Sequence, residues 1–260
     1  MIKKIFLAIA LTAFAIALSL CMGFFPGRTV PVLMYHHVTA GKSSNALEVS
    51  KQAFEKQMAF LHAHHYRVVD AKDTVAILDG REKQGKKVML TFDDGFADNY
   101  EIAMPVLEKF GFKGTFFVVT DWVGKPGFMT WFQIREIKKH GHTIGSHTVT
   151  HPFLTEIGLA KVRDEIYNSK RLMQENLGGP VESFCYPAGR FNPTVKALVQ
   201  EADYQTAFAT APGWAYSNKD VFAIKRIRIS ESSESTLQFW WRVSGYYLLF
   251  RERSARRMKG

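Results

Sequence analysis

Two short stretches of this 260-residue chain gather residue types that do chemistry. Thr91-Phe92-Asp93-Asp94-Gly95 puts two adjacent carboxylates at the end of a strand-like run, Lys87 to Phe92. His147-Thr148-Val149-Thr150-His151 puts two imidazoles four residues apart. One carboxylate with two histidines is a ligand set for a catalytic divalent metal that keeps open coordination positions. The spare carboxylate is then a candidate base toward a water activated by that metal. The combination points to metal-assisted hydrolysis. Either stretch alone says little, because Asp-Asp-Gly is also turn chemistry and His-x-x-x-His is also a surface pair on one helix face.

Such groups converge only if the elements around them bring strand ends together. Strand-like runs at residues 31–35, 66–69, 88–92, 114–119, 143–146, 183–186, 206–209 and 224–229 alternate with helical spacing. The helical segments begin near Phe54 and at Thr74, and span 103–110, 131–140, 159–177 and 193–202. Pro105 stands in a first turn and Gly141 just past a helix end, as helix starts and stops favour. Strand–helix alternation implies a parallel sheet. Some 200 residues of it predict an α/β fold, a distorted (β/α) barrel of about seven strands. Active groups of such barrels sit at the C-terminal strand ends. Asp93, Asp94, His147, His36 and Pro187 all lie at or just after such ends. His62, His64, His65, His140 and His142 fall on helical or turn segments and read as solvated.

On these motifs the chain resembles the polysaccharide deacetylase family, the NodB-homology or carbohydrate esterase family 4 domain, over roughly residues 30–235. Thr91 to Gly95 matches the first family motif and Ser146 to His151 the second. The resemblance implies Asp93 as catalytic base and Asp94, His147 and His151 as ligands of a divalent ion, with zinc as the expected metal. It implies removal of N-acetyl groups from N-acetylglucosamine in a polysaccharide. The third motif departs from the commonest Arg-x-Pro-aromatic form. Here it reads Ser183-Phe184-Cys185-Tyr186-Pro187-Ala188-Gly189-Arg190, a version similar to the poly-N-acetylglucosamine deacetylase branch. By that analogy Tyr186 and Pro187 bind substrate, and the Tyr186 backbone N–H stabilises the tetrahedral oxyanion. Many members carry a histidine on the last strand as general acid, but this chain has none after His151. The Tyr35-His36 pair ending the first strand matches the position that fills this role in the branch, which makes His36 the expected acid, with His37 or a water next. Arg190 and Arg226 are both candidates to pair with Asp93. Trp122, Trp131 and Trp214 are candidates for a sugar-stacking floor.

The ends of the chain concern location. Lys3 and Lys4 precede an uncharged apolar run to Leu20, the form of an export signal or anchor. Cys21 follows Leu18-Ser19-Leu20, similar to a bacterial lipoprotein box but with Leu20 where a small residue belongs. With only Cys21 and Cys185 present, the core rather than disulfides must hold the fold. The formal net charge of +10 is concentrated in part at Arg251, Arg253, Arg256, Arg257 and Lys259, behind an aromatic stretch from Leu237 to Phe250. No nucleic-acid motif accompanies it, so a membrane surface is the expected partner alongside an acetylated glycan. The expected layout is residues 1–28 as signal peptide or membrane anchor, 29–235 as catalytic domain, and 236–260 as an aromatic and basic C-terminal segment. This describes an exported, membrane-associated enzyme of the bacterial cell envelope. The rivals are an esterase or non-sugar amidase on the same barrel, or a membrane-held carbohydrate-binding pseudoenzyme. The complete set Asp93, Asp94, His147 and His151 argues against the last.

Overall fold

The computed structural model describes residues 30–81, 85–210 and 220–244, with Thr12, Phe14 and Tyr247. Residues 1–28 other than Thr12 and Phe14, Trp214, and the basic tail 251–260 lie outside the described residues. Among the described residues, no helix is long and apolar enough to cross a membrane.

The chain opens with β1 (Val32–Tyr35), then β2 (His37–Thr39) and β3 (Glu48–Ser50). Helix α1 (Lys51–Ala63) starts where the Ser50 side chain accepts from the Ala53 N–H. After β4 (Arg67–Val68), the Asp70 carboxylate caps α2 (Ala71–Leu78) in the same way. Strand β5 (Lys87–Phe92) leads through a π-helical turn, Asn99–Ala103, into α3 (Met104–Lys109). Then come β6 (Thr115–Val118), α4 (Trp131–Lys139) behind a Thr130–Gln133 capping box, and β7 (Thr143–Ser146). Helix α5 (Leu159–Leu177) stops at left-handed Gly178. The chain continues as β8 (Ser183–Cys185), α6 (Pro193–Glu201), β9 (Thr206–Ala209), β10 (Ile224–Lys225), β11 (Ile227–Arg228) and α7 (Thr236–Val243).

All the ladders are parallel, in the order β10-β9-β8-β7-β6-β5-β1-β11, with β4 added on β5. The run expected as one last strand is broken at Arg226. Its first half pairs with β9 (Ile224 opposite Phe208) and its second half with β1 (Leu33 opposite Ile227). One kinked segment thus joins the two ends of the sheet into a nearly closed barrel of seven positions. The sequence reading also missed β2 and β3, three residues each, which form a separate two-stranded sheet.

Strand alternation decides what enters the barrel. Leu33, Leu90, Phe92, Phe116 and Phe184 face the helices and form the outer core with Phe54, Leu107, Ile134 and Ile166. Val32, Met89, Phe117, Cys185, Phe208 and Ile224 form a second, inner cluster. Continuing the inner parity along each strand places His36, Asp93, His147, Cys185 and Arg226 on the inner side. Helix α7 buries Phe239 completely, edge-on to Phe60, while Leu237 stays 74% exposed. His142 corrects the expectation of solvated histidines. It is buried, and its Nδ1 accepts the Gly114 N–H at 3.0 Å.

The tightest point of the inner packing is Gly145. A Cβ there would lie 2.5 Å from the Phe117 ring and 3.0 Å from the Ser183 carbonyl oxygen. Gly145→Ala is therefore expected to destabilise the protein by about 1–3 kcal/mol through overpacking. Urea unfolding checks this, and an unchanged midpoint would show that the barrel interior yields.

Candidate active site

The first motif follows from the way β5 ends. The Asp93 N–H still donates to the Tyr35 carbonyl at 2.9 Å, so the ladder runs one residue past the strand. Asp94 and Gly95 then turn with φ of 74° and 82°. The Asp93 side chain points inward and Asp94 toward the mouth. The Arg226 guanidinium grips both Asp93 oxygens, Nη1 to Oδ1 at 2.6 Å and Nη2 to Oδ2 at 2.7 Å. It also donates to Thr91 Oγ1 and lies 3.0 Å from Cys185 Sγ, with its carbon 5.5 Å from the Phe117 ring centre. Arg226, not Arg190, is the partner of Asp93. Arg190 lies on the surface, 2.6 Å from Glu156 and over the Phe153 ring.

Electrostatics separate the two carboxylates. Burial alone would raise the Asp93 carboxyl, but the Arg226 charge and hydrogen bonds reverse this and hold it well below the usual carboxylate range. Burial and the neighbouring Asp93 charge push Asp94 up to about 7. Asp94 Oδ1 faces His147 Nε2 at 3.5 Å and His151 Nε2 at 3.7 Å. Burial pushes His147 down to about 3 and also lowers His151, which keeps both imidazoles neutral.

The histidines are placed by the loop after β7. His147 Nδ1 donates to the Cys185 carbonyl at 2.8 Å, which leaves Nε2 as a lone-pair donor toward Asp94. Buried Glu165, on α5, accepts the Val149 and Thr150 N–H groups at 2.8 Å each and the Thr150 hydroxyl at 2.6 Å. Thr148 and His151 both take left-handed φ, 71° and 61°. Glu165 escaped the sequence reading. Its signal was a carboxylate on the buried stripe of α5, four residues after Lys161 and one before the core residue Ile166. The donor set of Asp94, His147 and His151, one oxygen and two imidazole nitrogens within 4.8 Å of one another, fits a divalent ion such as zinc.

His36 lies after β1 on the inner parity, with its backbone carbonyl held by Asn99 Nδ2 at 2.8 Å. Its Nδ1 is buried without a partner among the described residues, and burial pushes the ring down to about 4 against the pull of Asp93. Tyr186 requires a correction. Its N–H donates to the Phe208 carbonyl at 3.0 Å and its hydroxyl to the Phe222 carbonyl at 3.0 Å. The amide expected to face an oxyanion is therefore spent on the neighbouring strand. Pro187 opens the next turn and has no N–H to give; Ala188 follows, exposed and at φ 51°, and its N–H has no partner among the described residues. Of the tryptophans, Trp122 stands 5.4 Å from His151, whereas Trp131 begins α4.

A parallel barrel with an acid–histidine cluster at its C-terminal strand ends defines a hydrolase of the metal-site type. The pattern of the polysaccharide deacetylase family matches residues 80–207. YxkH of Bacillus subtilis (strain 168), which carries the polysaccharide deacetylase name, is 34% identical over 202 residues, 77% of this chain and 71% of that protein. The poly-beta-1,6-N-acetyl-D-glucosamine N-deacetylase of Staphylococcus aureus (strain MRSA252) is 23% identical over 217 residues, 78% and 75% of the two chains. The Streptococcus pyogenes deacetylase PplD, solved in complex with acetate, superposes with a TM-score of 0.73 at 28% identity, over 78% of this chain and 93% of that one. The chain belongs to the polysaccharide deacetylase family, hydrolases that act on amide bonds.

The carboxylate raised to about 7 sets a pH test. Below that value Asp94 holds a proton that an incoming ion must displace, while burial favours the neutral form of both imidazoles. Zinc affinity of the metal-stripped protein is expected to weaken about tenfold per pH unit below 7 and to level off above it. Competition titration against a chelator between pH 5.5 and 8.5 reads this directly, and a flat profile would remove Asp94 from the ligand set.

Proposed function

We propose that this protein hydrolyses N-acetyl groups from N-acetylglucosamine units of a polysaccharide at the bacterial cell envelope, with zinc held by Asp94, His147 and His151. The observation that carries this reading is the meeting of that donor triad with a second, arginine-paired carboxylate at the same strand ends. The name of the Staphylococcus aureus relative supports the choice of sugar. The apolar run after Lys3 and Lys4 supports export and anchoring, and exposed Leu237 on α7 supports surface contact of the C-terminal segment.

When bound, the ion polarises the acetamide carbonyl and makes a water more acidic. Asp93 accepts the proton of the attacking water; each of its oxygens keeps a lone pair beside its bond to Arg226. Because Arg226 makes the Asp93 acid strong, the proton does not rest there. His36, on the inner side just after β1 and with a buried, unpartnered Nδ1, is the group placed to carry a proton to the departing nitrogen. The departing nitrogen must be protonated, because it cannot leave as an amide anion. With Tyr186 engaged, the Ala188 N–H takes over as donor to the oxyanion.

Acetate release from acetylated glycans, with and without chelator, tests the reading; release undiminished after metal stripping would overturn it. Asp93→Asn keeps the volume but cannot take the proton. It is expected to be less stable, because Arg226 loses its counter-charge, but still folded, metal-loaded and nearly inactive, and wild-type turnover would move the base elsewhere. His36→Ala is expected to slow amide cleavage by about 10²–10⁴-fold with metal content unchanged, and to slow an acetyl ester less. Equal loss on amide and ester, or loss of the metal, would make His36 structural and pass the role to His37 or a water.

A further inference from the structure

A cation at the mouth of the barrel stands without a counter-charge among the described residues. Strand β11 ends on Arg228, whose neighbours Ile227 and Ile229 are buried in the outer core, so Arg228 takes the opposite, inner side. It lies one inner step beyond Arg226, toward the strand ends that carry the site. Across the ladder it is paired with Met34 of β1, and His36 is the next inner residue on that strand. Charge acts between the two side chains: burial is the main cause that lowers the His36 ring, and the Arg226 and Arg228 charges add to it. Arg226 is buried, but Arg228 is exposed.

Other basic groups on the loops at this end are matched. Lys125 lies 2.6 Å from Asp121, Arg190 2.6 Å from Glu156 and His37 2.6 Å from Asp98. Of Arg228, only the backbone carbonyl is engaged, accepting from Arg242 Nη1 at 2.6 Å. Residues 211–219, which follow β9, contain no Asp or Glu that could serve the guanidinium. The charge balance makes this costly. Asp93 and Arg226 cancel, and Asp94 offsets only half the charge of a divalent ion, so Arg228 adds to a positive excess. An arginine here works against an ion at the triad and against a proton on His36. It becomes favourable when an anion enters the mouth. Its planar fork of N–H groups matches a carboxylate with two parallel hydrogen bonds. A neutral glycan leaves that fork unused, whereas a glycan with a carboxylate on a sugar near the reacting one engages it.

We propose that Arg228 binds a carboxylate carried by the glycan, so that the polymer this protein deacetylates is acidic rather than neutral. The inference rests on the glycan deacetylase reading and narrows its substrate class. The test measures acetate release from one N-acetylated glycan in two forms, with its carboxylates free and with them capped as methyl amides. The full-length protein, Arg228→Gln and Arg228→Lys are compared. The unaltered protein is expected to show a kcat/KM about 3- to 10-fold higher on the free acid, mostly through KM. The advantage should shrink as salt is raised. Arg228→Gln is expected to bring the ratio to about one through loss on the acid form, and Arg228→Lys to keep part of it. Equal kcat/KM on the two forms in the unaltered protein, or a ratio that Arg228→Gln leaves in place, would overturn the assignment. Relief of inhibition by free acetate in Arg228→Gln, with the ratio still in place, would give the arginine to the product and overturn the acidic substrate. Calorimetric binding of both forms to the zinc-loaded protein keeps the two readings apart. Tighter binding of the acid form that Arg228→Gln removes, with no acetate released from either form, supports Arg228 and overturns the deacetylase reading alone. Equal binding of the two forms overturns Arg228 whatever the turnover.

Discussion

The buried ion pair between Asp93 and Arg226 is the interaction on which the rest of the site depends. Taking two charges out of water costs several kcal/mol each, and only good geometry with further hydrogen bonds offsets it. Here the guanidinium meets the carboxylate as a two-pronged fork and gives its remaining reach to Thr91, Cys185 and the Ala209 carbonyl. The pair is also mechanical. Arg226 sits at the break between β10 and β11, where the chain leaves β9 and joins β1. Removing either partner would strand the other charge inside the barrel, which typically costs about 3–5 kcal/mol. The same contact therefore closes the sheet, aims the carboxylate and sets its acid strength.

The candidate ligand groups are held by strained backbone. Among the described residues, six that are not glycine have left-handed φ, and four of them, Asp94, Thr148, His151 and Ala188, belong to the three motifs. Such conformations persist only where the surroundings over-determine them. Glu165 and the Thr148 hydroxyl supply that excess for the histidine loop by taking up its backbone N–H groups. Asp94 is followed by Gly95, itself left-handed at φ 82°, where a Cβ would lie 3.4 Å from Val118. Rigid placement matters for an ion site, because ligand groups must meet at one point without further reorganisation.

What was legible in the sequence was local. The Asp-Asp-Gly and His-x-x-x-His motifs, the strand and helix order, and the exact span of α5 follow from spacing and cap residues within a few positions. What was not legible depends on partners far along the chain. Arg190 and Arg226 look alike until the closing strand is seen to break at the second. The Tyr186 amide seemed free because nothing nearby claims it; its acceptor, Phe208, is on the next strand. The strands β2 and β3 are too short to show alternation. His142 reads as a turn residue, yet the Gly114 amide that buries it arrives from another strand. In each case the deciding term is a long-range hydrogen bond.

Charge accounting ties these points to the ion. Asp93 and Arg226 cancel within the barrel. Asp94 is left facing two imidazoles that burial keeps neutral, and its own acid strength is depressed by burial and by the negative charge next to it. A carboxylate buried among neutral nitrogen lone pairs is a poor arrangement for a protein that must stay apart from cations, and a good one for holding a dication. If Arg226 were positioned on Asp94 instead, the triad would already be neutralised and Asp93 would be the raised acid, protonated when a base is needed. The side of the Asp-Asp pair on which the arginine arrives thus decides which carboxylate is the strong acid and which is left facing the imidazoles, and the kink in the last strand makes that choice.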